Sequence, residues 1–169
     1  MTTTVSAPTR TYDSTRVYQD GIIAGILGAL AVALWFLIFD SARGRPFYTP
    51  SILGTALFGR GASLAPLEAT PVSMDMVLMF TCVHGLVFAA LGGIAAWLLA
   101  VAERSPHVGF GIILLFVVFE ACFTMAAYLL AAPILHALTW PAVVIANLLA
   151  AAVMAGYLWR RHPALRVEP

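Results

Sequence analysis

Lysine is absent from this chain: all nine basic residues are arginines, and the formal net charge is only +1 over 169 residues. A nucleic-acid-binding surface needs dense, clustered cations, and a charge this small and scattered argues against one. Charge of either sign is scarce. Charged residues make up 10% of the chain and hydrophobic ones 62%, where an ordinary soluble domain carries about 25% charged residues. So little polar surface cannot cover a soluble core, and the partner that composition implies is a lipid bilayer. Cysteine is nearly missing too. Cys82 and Cys122 fall inside long apolar runs with no CxxC or Cys/His spacing, and a buried free cysteine behaves as a small hydrophobe. There is no P-loop, dinucleotide fingerprint, HExxH or nucleophile elbow. The sequence gives enzymology little to stand on, so a non-enzymatic protein is expected.

What the chain has in abundance is long apolar runs. A helix needs about 20 such residues, at ~1.5 Å each, to cross a hydrocarbon core of about 30 Å. Gly21 to Phe39 lies between Asp20 and Asp40; Met76 to Ala102 follows Asp75; Val108 to Ile134 holds one charge-capable residue, Glu120; Trp140 to Trp159 ends at Arg160 and Arg161. In lipid each segment must satisfy its own backbone hydrogen bonds, and no two-residue alternation suggests a barrel. The expected fold is all-α, an integral membrane four-helix bundle. Its spans are expected at about 21–40, 74–102, 108–132 and 140–159, within a transmembrane domain over residues 20–160. Residues 1–19 read as a polar tail in which "YDSTRVYQD" begins a surface helix capped by Asp13 or Ser14, and 161–169 as a cytoplasmic tail. The first run and its polar lead are both long for a signal peptide and no good small-residue cleavage site follows, so an uncleaved span is expected.

Arginine placement suggests a direction. Arg10, Arg16, Arg104, Arg160, Arg161 and Arg166 share the side of the termini, against Arg43, Arg45 and Arg60 in the first loop, which favours cytoplasmic termini. Tyr18, Trp97, Tyr157 and Trp159 then read as inner interfacial anchors, and Trp35, Phe47, Tyr48 and Trp140 as outer ones. The first loop, from Ser41 to about Ser73, is long for an unstructured connection. Within it "YTPSILGTALFGRG" reads as a short interfacial helix over about 50–58, with Thr49 as its cap and Pro50 at its first position. Ile52, Leu53, Ala56 and Leu57 would form its apolar face. Pro46, Phe47, Tyr48, Pro50, Leu53 and Leu57 are the candidate lid or interface residues, beside the plainer reading of a greasy loop resting on headgroups.

Lipid is as apolar as leucine, so membrane helices associate through close packing of small residues. Gly21, Gly25 and Ala29 form one such stripe, Gly85, Ala89 and Gly93 a second, and Ala146 and Ala150, with Ala151 and Ala155 alongside, a third. Polar residues follow the same faces: His84 beside Gly85, Asn147 with Ala150 and Ala151, and Glu120 with Thr124, Ala127 and Ala131. Eleven residues separate Ser73 from His84, or about 16 Å, and twelve separate Val108 from Glu120, or about 18 Å from the other side. Both land near the midplane, while Asn147 lies about 10 Å below Trp140 by the same rise. A lone ionised carboxylate there is costly, so Glu120 is expected to pair, meet water or stay protonated. His84, Glu120, Asn147 and Thr124 are thus the candidate polar centre, with three roles open: structural hydrogen bonding, a proton or ion relay, or contact with a pigment, quinone or metal. The four histidines lie at different depths, so no bis-histidine haem or three-histidine zinc site is expected, and no cofactor is specified.

The stretches "ALWFLIFDSARGRPFYTPSILGTALFGRG", "HGLVFAALGGIAAWLL" and "ANLLAAAVMAGYLWRRHP" resemble a loosely defined family of small, uncharacterised four-span bacterial inner-membrane proteins. The likeness rests on the pattern from Pro46 to Phe58 and on His84 with Gly85. It implies a compact inner-membrane bundle and brings no activity or catalytic residue with it. The expected role is an accessory or scaffold subunit of a membrane complex or homo-oligomer. The alternatives are a small transporter or proton conductor using Glu120 and His84, and a cofactor-binding redox subunit.

Overall fold

The structure, a computed structural model, describes residues 14–59, 71–104 and 140–161. These form helices α1 (Ser14–Ala42), α2 (Tyr48–Phe58), α3 (Met74–Arg104) and α4 (Trp140–Arg161). Three of them are long and apolar enough to cross a membrane, over Thr15–Ala42, Met74–Glu103 and Pro141–Arg161. The protein is an all-helical, multi-span membrane protein with a shorter helix at the membrane boundary. The expected span at 108–132, with Glu120 and Thr124, lies outside the described residues.

The distribution of side-chain size marks the surroundings as lipid. The buried apolar residues are mostly alanines, among them Ala24, Ala96, Ala100, Ala146 and Ala150, while Leu86 is 71% exposed and Ile38 65%. Water would drive those large side chains inward; hydrocarbon solvates them, and the helices hold together instead by close approach.

α1 is the central helix, with α3 and α4 packed against it. Its residues Gly21, Ala24, Gly25, Gly28 and Ala29 are all buried. Towards α3 the contact is backbone on backbone. A Cβ at Gly21 would lie 2.5 Å from the Gly92 carbonyl oxygen and 2.7 Å from Gly93 Cα, and one at Gly25 would fall onto the Phe88 carbonyl. A Cβ at Gly92 would in turn land on the Gly21 carbonyl oxygen. Towards α4 the seam is looser: Gly28 faces the Met154 side chain, and the Trp35 indole donates to the Ala142 carbonyl at 2.9 Å. Val17, Ala24, Ala96, Ala100 and Leu158 close one end of the bundle.

α1 runs as one helix from Ser14, so the helix that begins in "YDSTRVYQD" continues without a break into the span. The chain then turns sharply. Arg43 and Arg45 both donate backbone N–H groups to the Asp40 carbonyl, at 3.1 and 3.0 Å, and Gly44 takes a φ of +72° that suits a residue without Cβ. Phe47 follows at φ 63°, a conformation that bulky residues seldom adopt. α2 therefore starts at Tyr48, and Thr49 sits in its first turn instead of capping it. Phe47 is at the cap position but makes no side-chain hydrogen bond there.

Candidate functional site

Asp40 supplies what Phe47 cannot. Its carboxylate is 2% exposed and accepts the Thr49 backbone N–H at 2.7 Å through Oδ2 and the Thr49 hydroxyl at 2.8 Å through Oδ1. The last turn of α1 thus caps the first turn of α2, placing negative charge where the N–H groups of a helix start point outward. Cationic side chains frame this end: the Arg43 guanidinium lies 4.2 Å from the Phe39 ring centroid and that of Arg45 lies 3.9 Å from Tyr48.

α2 packs on α3 through a face that keeps Ile52 of its expected apolar pattern but is rotated away from Ala56 and Leu57. Thr49, Ser51, Ile52 and Gly54 are buried, while Leu57 is 61% exposed. The reason is close approach: a Cβ at Gly54 would meet the Met76 carbonyl, and Ser51 Oγ accepts the Ser73 backbone N–H at 2.9 Å. Of the candidate interface residues, Pro46, Phe47 and Leu57 are exposed and Tyr48, Pro50 and Leu53 are half-buried.

A second polar cluster joins α1 to α4 at the opposite end. Tyr157 donates its hydroxyl to Asp20 Oδ1 at 3.2 Å, and Arg161 Nε approaches the same oxygen at 3.5 Å. Asp20 and Asp40 are twenty residues apart on one helix, about 30 Å, the thickness of a hydrocarbon core. The two clusters mark the two boundaries of the span.

Between them stands His84. Its imidazole lies between Phe80 and Phe88, with centroids 5.5 and 4.6 Å away, and is within hydrogen-bonding reach of the Ala29 backbone. Ala29 is nine residues from Asp20 and eleven from Asp40, so this contact puts the ring at about mid-depth. His84 Nε2 is buried and has no hydrogen-bond partner among the described residues. Unpaired buried nitrogen in hydrocarbon is costly, of the order of 1–3 kcal/mol. Asn147 is exposed on α4, as are Ala151 and Ala155, so the described helices do not bring it to His84. Glu120 and Thr124 lie outside the described residues.

Of the expected packing residues, Gly21 and Gly25 sit in the tight seam and Ala89 lies against Gly25. A Cβ at Gly85 or Gly93 meets nothing within 4 Å among the described residues. Sequence reasoning missed Gly92, which makes the reciprocal contact, and it read Asp40 only as the end of a span. The signal for Asp40 was faint: an acid at a helix end followed nine residues later by a Thr-Pro helix start. No cluster of three His, Cys, Asp or Glu side chains assembles among the described residues. No family model, curated protein or solved structure matches the chain.

Proposed function

We propose that this protein is a non-enzymatic accessory or scaffold subunit, working within a larger membrane complex or as a homo-oligomer in the bacterial inner membrane with both termini in the cytoplasm. The observation that carries the reading is where the polar groups lie. Among the described residues most polar side-chain contacts between helices lie at the two membrane boundaries, with His84 against the Ala29 backbone as the mid-depth exception, and α1 and α3 are pressed together backbone to backbone. A conduction path needs polar groups along its length, and this seam has no room for one. Large apolar side chains cover the outer faces of all three long helices, as surfaces for lipid or for neighbouring subunits.

Native mass spectrometry of gently extracted particles tests this. Partner chains or further copies in fixed ratio are expected; a lone, monomeric chain overturns the reading.

The Nε2 of His84, which has no hydrogen-bond partner among the described residues, favours a second reading, a mid-membrane proton or ligand site shared with Glu120. In that case Glu120→Gln abolishes proton flux in reconstituted vesicles, or the purified protein carries a pigment or metal. A scaffold keeps its assembly in the same variant and shows no flux to lose.

A further inference from the structure

The two nitrogens of the His84 ring have different neighbours, and the difference fixes what the ring can bind. Phe80, His84 and Phe88 follow one another at steps of four on α3, and the two phenyl rings flank the imidazole with centroids 5.5 and 4.6 Å away. A flat molecule therefore finds no open face on which to stack. Recognition is left to the edge of the ring, where its nitrogens lie.

One edge meets the Ala29 backbone. Ala29 lies inside α1, where its N–H is already given to the Gly25 carbonyl, so the group it offers the ring is its own carbonyl, whose second lone pair is free to accept. A carbonyl cannot donate. The nitrogen facing it must carry hydrogen, and because Nε2 has no partner among the described residues, that nitrogen is Nδ1. The reverse tautomer would set the Nδ1 lone pair against the carbonyl lone pair and bury an N–H at Nε2. An imidazolium would keep the Ala29 bond but bury both that second N–H and a charge at mid-depth, which is costlier still. Nε2 thus presents a lone pair in the plane of the ring.

We propose that His84 Nε2 is a binding position for a protic group, an O–H donor. The proposal rests on the second reading of the function and narrows it. The mid-membrane site takes a hydroxyl, a hydroquinone or a protonated carboxylic acid, and rejects a quinone or a carboxylate, which bring only further lone pairs.

Solid-state nitrogen-15 NMR of the full-length chain in native-lipid bilayers reads this directly. Val83–His84 is the one Val-His pair in the sequence, so carbonyl-labelled valine with nitrogen-labelled histidine singles out this ring without any substitution. A protonated Nδ1 is expected, with a bare Nε2 shifted upfield by an accepted hydrogen bond. Stepwise delipidation in detergent separates the sources of the donor: an upfield shift that is lost assigns it to a bound molecule, one that persists assigns it to the chain itself, and either supports the proposal. A protonated Nε2 in the native bilayers overturns it, as does a bare Nε2 resonating like that of free imidazole. Proton flux decides the second reading separately. Absent flux with a hydrogen-bonded Nε2 sinks the relay and leaves the donor assignment standing, whereas a protonated Nε2 removes that assignment whatever the flux.

Discussion

Gly25 offers the sharpest test of how the bundle is held. Replacing it with alanine adds one carbon, which would land on the Phe88 carbonyl oxygen, 2.6 Å from Phe88 C and 2.9 Å from Ala89 Cα. All three are backbone atoms or fixed to them, so no rotamer change relieves the clash and α1 must move off α3 by an ångström or so. A gap of that size forfeits about a quarter to a half of each dispersion contact along the seam, and overpacking of this kind costs about 1–3 kcal/mol. Against it stands a gain of roughly 0.5–1 kcal/mol, because alanine is a better helix former than glycine. Gly25→Ala is therefore expected to destabilise by about 1–2 kcal/mol. Gly93→Ala, whose new carbon meets nothing within 4 Å among the described residues, is expected to keep the gain without the clash against α1. The assay is reversible unfolding of both variants in the same mixed micelles. The difference between them isolates the steric term, about 1–3 kcal/mol; two variants of equal stability would refute backbone contact as the source of α1–α3 association.

Further outcomes follow from the boundary contacts. Asp40→Ala strands the Thr49 N–H and hydroxyl, each at about 1–3 kcal/mol if left unpaired, and should raise amide exchange across residues 48–58; unchanged protection there would show that Asp40 does not hold α2. Asp40→Asn keeps an acceptor for one of the two donors and is expected to fall between. Trp35→Phe removes the indole donor to Ala142 and should cost about 0.5–1.5 kcal/mol of stability in the same micelles; no loss would mean the bond is not formed. Cys82 is exposed on α3 only two residues from the mid-depth His84. In a Cys122→Ser background it should resist charged maleimides in intact membranes, and fast labelling would place that face against water.

Membrane class and the three long apolar helices of the described residues were legible before any coordinate, because lipid imposes its demands locally: a run of sufficient length, internal hydrogen bonds and charge at the ends. Asp20 and Asp40 bracket the first long apolar run, and His84 lies against Ala29, about halfway between them along α1. Small residues also advertised that the helices pack closely.

Which small residue meets which was a tertiary decision. Gly21, Gly25, Gly85, Gly92 and Gly93 all permit close approach, so sequence alone cannot choose among them. The crossing of α1 over α3 puts Gly21, Gly25 and Gly92 into backbone contact, while a Cβ at Gly93 would meet nothing within 4 Å among the described residues. The role of Asp40 likewise depended on a turn through Gly44 and Phe47 that folds α2 back onto the end of α1. Hydrophobicity and length act along the chain and can be read from it; steric fit and the pairing of buried donors with acceptors act between segments, and exist only once those segments have met.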